Sequence, residues 1–205
     1  MKELSLGEAI YTRMEEMPTG TIFSNNDFYD LGNHDAIRKA LSRLCIEHKI
    51  FRLIDGYYTI PYFIEAVQEY SYPTVHELAR KIADRYAWNI APFGENALNQ
   101  IGISTQIPAV CEYLSDGPYR EFTYLNKVIR FKHTSNRMIS KYSQPVSLII
   151  QSIKTLGRDN ITEKDIKLMN FYINAYVKED LLKETKSAPA WIYEIIKAII
   201  GGFDE

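Results

Sequence analysis

Residues 33–60 read NHDAIRKALSRLCIEHKIFRLIDGYYTI, and this stretch decides the fold. Asn33 is a helix-capping residue, and the spacing predicts a helix from there through His48. At about 100° per residue, Ile37, Leu41, Leu44, Cys45 and His48 share one face. Asp35, Arg38, Lys39, Ser42, Arg43 and Lys49 share the other. Ile50–Ile60 then holds two β-rich runs around Asp55-Gly56. Glycine supplies the positive φ that a tight hairpin needs, so a helix followed by a hairpin is the expectation.

Working backwards, Leu4, Leu6, Ala9, Ile10, Met14 and Met17 recur at helical spacing, and Pro18 and Gly20 end that helix. Thr21–Phe23 reads as extended. Ser24 or Asn25 caps a short helix through Leu31, and Leu31-Gly32-Asn33 turns the chain into the longer helix. Helix, short helix, turn, longer helix and hairpin is the order of a winged helix-turn-helix domain, placed at 1–60. A major groove admits one helix, so Arg38, Lys39, Ser42, Arg43 and Lys49 are candidate DNA contacts on the second helix of the motif. Arg52 is a further candidate on the wing. The bland reading is a solvated helix face in a protein-contact module, and the acidic balance of 1–60, seven Lys/Arg against nine Asp/Glu, favours it.

Working forwards, Pro61–Pro73 reads as a linker. An α+β domain follows at 74–205. Thr74 caps a helix through about Ala87, 88–92 is extended, and 94–101 is a short helix stopped by Gly102. Runs at 109–114, 121–125 and 128–133 predict a small antiparallel sheet. Helices are predicted at 145–156, 163–176, 178–185 and 189–200. Block 117–158 carries eight Lys/Arg and one acidic residue in a chain of net charge −2. Arg130 and Lys132 alternate with Ile129 and Phe131, so one sheet face should be apolar and the other basic. Lys127, Arg130, Lys132 and Arg137 are therefore a candidate surface for phosphate or an acidic partner.

The chain is 205 residues, 46% apolar and 24% charged, which allows a core without metal or disulfide staples. It has no apolar run near 18 residues and no secretory leader, so a cytoplasmic protein is expected. Phosphate-loop, dinucleotide, nucleophile-elbow and zinc-protease motifs are missing. The four histidines have no ligand spacing, and Cys45 and Cys111 sit far apart. No catalytic residue, metal or cofactor is expected.

Several segments together resemble the AbiEi-like antitoxin family of type IV toxin–antitoxin and abortive-infection systems. These are residues 17–23, Asp27-Phe28, Leu31-Gly32, residues 36–44, Arg52 and Gly56-Tyr57-Tyr58, followed by Gly94, Ala97-Leu98-Asn99, residues 102–108, residues 113–118 and residues 129–133. More narrowly, the chain looks like a branch that pairs a winged helix with a short antitoxin-like domain. The resemblance implies a non-catalytic cytoplasmic autoregulator that binds inverted repeats in its own promoter. It also implies that the second domain neutralises a nucleotidyltransferase-like toxin without a stable complex. The rival expectation is an adaptor whose winged helix and basic sheet hold a partner protein. A nucleic-acid-processing enzyme with an unrecognised site in the second domain is a third.

Overall fold

A computed structural model describes residues 4–135, 139–176 and 181–201. The chain is α+β and divides into two compact units, Met1–Ala87 and Trp88–Glu205. Among the described residues no helix is long and apolar enough to cross a membrane.

The first unit opens with α1, Leu6–Glu15, capped by a reciprocal pair: Ser5 Oγ accepts from the Glu8 amide and Glu8 accepts from the Ser5 amide. Strand β1 is Phe23–Ser24, and a single 3-10 turn at Asn25–Phe28 replaces the longer short helix expected through Leu31. Arg13 of α1 pairs with Asp30 through two bonds of 2.7 Å, which holds the following turn against α1. Asn33 Oδ1 accepts from the Ala36 amide at 2.9 Å and starts α2, His34–Ile46. The helix ends two residues earlier than its periodicity suggests. His48 has φ +56 and is exposed, so it terminates the helix instead of joining the apolar stripe. Ala40 takes that place beside Ile37, Leu41 and Leu44. These residues close on Ile10, Met14, Phe23, Phe28, Ile50 and Tyr58 in one core.

Strands β2, Phe51–Ile54, and β3, Tyr57–Thr59, form the hairpin read from Asp55-Gly56. β1 adds to β3, giving an antiparallel sheet of order β1-β3-β2. The stretch read as a linker carries a second hairpin, β4 (Tyr62–Ile64) with β5 (Glu69–Ser71), stiffened by the edge-on Phe63–Tyr70 pair. Helix α3, Val75–Arg85, belongs to the first unit. Its Lys81 Nζ meets Asp27 Oδ2 at 2.8 Å, and its Arg85 guanidinium lies 5.2 Å from the Tyr57 ring. The two prolines that suggested a boundary flank a hairpin instead.

In the second unit a four-stranded sheet has the order β6-β7-β9-β8, with β6 Ile90–Pro92, β7 Val110–Ser115, β8 Arg120–Tyr124 and β9 Lys127–His133. β8 and β9 pair antiparallel as expected and the extended segment 90–92 joins β7 antiparallel, but β7 and β9 are parallel. The reason is connectivity: β8 runs back along the outside, and the turn with positive φ at Leu125 and Asn126 inserts β9 next to β7. Between β6 and β7 lies α4, Glu95–Ile101, ended by Gly102 at φ +86. The remaining helices are α5 (Gln144–Leu156), α6 (Glu163–Tyr176), α7 (Leu181–Thr185) and α8 (Ala190–Gly201). Residues 178–180 of the expected helix at 178–185 lie outside the described residues. Every residue from Val146 to Ile153 is buried, so α5 is the axis on which Met169, Ile173, Leu181, Ile192, Ile196 and Ile199 converge.

Candidate nucleic-acid interface

On α2 the buried stripe fixes which side chains face outward. Arg38 and Ser42 lie along one flank, Lys39 along the crest and Arg43 along the other flank, by helical geometry. Arg38, Lys39 and Arg43 are exposed and Ser42 is half-buried. Arg38 Nη2 stands 3.9 Å from Asp35, a loose surface pair. Lys39 and Arg43 have no carboxylate within ion-pair distance among the described residues. They are the cations on this face most available to a phosphate.

The other two candidates are less available. Lys49 Nζ binds Glu47 at 2.9 Å and lies 5.8 Å from the Tyr11 ring. The Glu47 hydrogen bond and charge hold the Lys49 ammonium above its ordinary range. Arg52 leans over the Tyr58 ring at 5.6 Å and stands 3.8 Å from Asp55, with its side chain 45% exposed. It also bears on the flank of α2: burial raises the Cys45 thiol, and the positive charge of Arg52 partly offsets this. The hairpin thus brings the Arg52 charge beside that flank. Its tip is tied to α3 through Arg85, a contact that no local sequence pattern announces.

Counting the face as a whole, Arg38, Lys39, Arg43, Lys49 and Arg52 meet Asp35, Glu47 and Asp55. The local balance is positive although residues 1–60 are net acidic. Three of the six other acids are engaged: Glu8 in the α1 cap, Asp27 on Lys81 and Asp30 on Arg13.

The basic sheet face in the second unit is different. Arg130 and Lys132 do share a face, opposite buried Ile129 and Phe131. Yet Arg130 Nη1 contacts Glu112 at 3.1 Å and its Nε contacts Glu121, while Lys132 Nζ binds Glu112 at 2.8 Å. Glu112 on β7 and Glu121 on β8 both stand in register with Arg130. Burial raises the Glu112 carboxyl, but hydrogen bonds from Lys132 and Arg130 outweigh it, and the net position is below the ordinary range. Block charge overstated this surface, since Glu112 lies outside the block in sequence and next to it in the sheet. Lys127 sits at the β8–β9 turn, and Arg137 lies outside the described residues.

As for chemistry, no group of three or more His, Cys, Asp or Glu is placed to hold a metal among the described residues. Cys111 is buried, and its thiol is raised by that burial. His133 Nδ1 lies 2.8 Å from the Gly117 carbonyl oxygen, against a turn that Asp116 fastens to Asn89 by two hydrogen bonds.

A family described as "Family of unknown function (DUF6088)" matches residues 9–181. No curated protein matches the sequence.

Proposed function

The chain belongs to this family of unknown function, DUF6088, and we propose, from the outward face of α2 and the resemblance to AbiEi-like antitoxins, that it is a DNA-binding autoregulator with antitoxin activity of the AbiE-like, type IV kind. The first unit acts as a winged helix-turn-helix: α2 is the recognition helix, the Asn25–Phe28 turn precedes it, and β2–β3 is the wing. The observation that carries this is the outward face of α2, where Lys39 and Arg43 have no ion-pair partner among the described residues and stand beside Arg38 and Ser42. In this reading Arg52 at the base of the wing contacts the backbone once it exchanges Asp55 for a phosphate, and Lys49 does so once it exchanges Glu47. The ligand is double-stranded DNA in the chain's own promoter, with inverted repeats as the site. The antitoxin half rests on the family resemblance in the second unit. It acts in the cytoplasm against a nucleotidyltransferase-like toxin without forming a stable complex with it.

The test is a gel shift on the chain's own upstream region. Arg38→Ala with Arg43→Ala should weaken binding by about 1–3 kcal/mol for each base-contacting arginine. The circular dichroism should stay unchanged, because neither residue is in the core. Unchanged affinity with an intact fold would reject the recognition-helix assignment. Growth rescue on co-expression with the product of the adjacent reading frame tests the antitoxin half.

One observation favours the adaptor reading. The β4–β5 hairpin exposes Tyr62, Val67 and Tyr70 along with Glu65 and Glu69, a surface suited to protein. That reading gains if the gel shift fails and the hairpin variant Tyr62→Ser with Tyr70→Ser loses the biological effect.

A further inference from the structure

Between α1 and α2 runs a groove of about 490 Å³ whose floor is Leu6, Ala36, Ala40 and Leu44 and whose rim is Tyr11, Lys39, Arg43 and Lys49. Its volume lies within the range of small-ligand sites. Its charges are not equivalent. Glu8 is engaged by the Ser5 amide at 2.8 Å, and Glu47 by Lys49 at 2.9 Å. Among the described residues, Lys39 and Arg43 have no carboxylate within ion-pair distance. With Glu8 and Glu47 against Lys39, Arg43 and Lys49, the apolar-floored groove has a formal charge of +1.

A second feature is that the α1 wall of the groove lacks a side chain at Gly7. Gly7 lines it from α1, and a Cβ built on Gly7 would meet nothing within 4 Å. Glycine is a poor helix former, and here neither a positive φ nor a close neighbour calls for it. Any larger side chain at position 7 would enter the empty space.

We propose that this groove binds a small amphipathic monoanion, its apolar body on Leu6, Ala40 and Leu44 and its carboxylate-type head on Lys39 and Arg43. The two cations are also the ones assigned to DNA phosphate above, so the inference rests on that reading for its consequence: ligand and DNA compete for the same charges. Binding of the anion disfavours the DNA-bound state by its difference in affinity for the two.

The test uses the full chain and three probes with one body: octanoate, 1-octanol and octylammonium, each below its micelle concentration. Calorimetry and amide shifts at Leu6, Ala40 and Leu44 report binding without any DNA. Octanoate should bind at least tenfold more tightly than octanol, and octylammonium more weakly still. Gly7→Leu should cost at least tenfold in octanoate affinity by filling the groove, and it should leave DNA affinity alone. Lys39→Gln with Arg43→Gln should make the three probes equivalent. Saturating octanoate should weaken DNA binding at least tenfold in the wild type and leave Gly7→Leu unaffected. Equal binding of the three probes, or octanoate binding untouched by Gly7→Leu, would overturn the site. Octanoate binding that leaves DNA affinity unmoved would overturn the competition. Octanoate binding in a chain that binds no DNA would leave the site standing and remove the DNA reading.

Discussion

At the scale of single residues, Gly56 and Glu112 each answer to two constraints. Gly56 has φ +77, and an added Cβ would lie 2.9 Å from Arg85 Nη1. Gly56→Ala is expected to cost roughly 1–2 kcal/mol from the left-handed backbone, and it displaces Arg85 from Tyr57 as well. Gly56→Asn should cost less, because asparagine tolerates that region. Thermal melts of the two variants decide it, and equal losses would mean that the clash with Arg85 dominates. Glu112 carries both Arg130 and Lys132. Its folded carboxyl lies below its ordinary 4.5, so its contribution is full above that value and is lost as pH falls through the folded one. Glu112→Gln should destabilise the second unit by roughly 1–3 kcal/mol at neutral pH. It should also flatten the acid limb of the stability profile. A variant as acid-sensitive as the wild type would show that the network contributes nothing there.

At the scale of elements, α2 holds the core and the candidate surface on opposite sides. Leu41 is fully buried among Ile37, Leu44 and the α1 residues Ile10 and Met14. Leu41→Ala should destabilise the first unit by roughly 2–5 kcal/mol through the cavity it leaves. DNA affinity should then fall only as the unfolded fraction rises. A melting temperature that did not move would show that the helix register is wrong, and with it every outward assignment. The C-terminal end of α2 was misjudged from periodicity, because His48 continues the apolar spacing. Periodicity cannot register that a residue has left helical φ, and that is what His48 at +56 has done.

At the scale of the whole molecule, the boundary at Ala87 and Trp88 has a physical consequence. A fragment 1–70 discards α3 and with it the Lys81–Asp27 pair and the Arg85 contacts at the hairpin tip. Fragment 1–87 keeps both, so it should melt cooperatively and at a higher temperature than 1–70. Because Arg130 and Lys132 are already held by Glu112 and Glu121, 1–87 should also show the salt slope of the full chain in DNA binding. A slope lower by about one unit per lost contact would place phosphate contacts in the second unit.

Helix α1, the start of α2, the Asp55-Gly56 hairpin, the core residues Ile37, Leu41 and Leu44 of α2 and its outward cations are legible in the residues alone. Each depends on neighbours within a few positions: a cap, a 3.6-residue period, a glycine at a turn. What only the tertiary structure decided are the properties set by distant partners. The β7–β9 pairing is parallel because β8 folds back outside it. The basic stripe is paired because register brings Glu112 and Glu121 alongside Arg130. The supposed linker became a hairpin, and the following helix joined the first unit through Lys81 and Arg85. Local free energy selects elements, whereas ion pairing and strand order follow from which elements meet, and that is written in no single stretch of the chain.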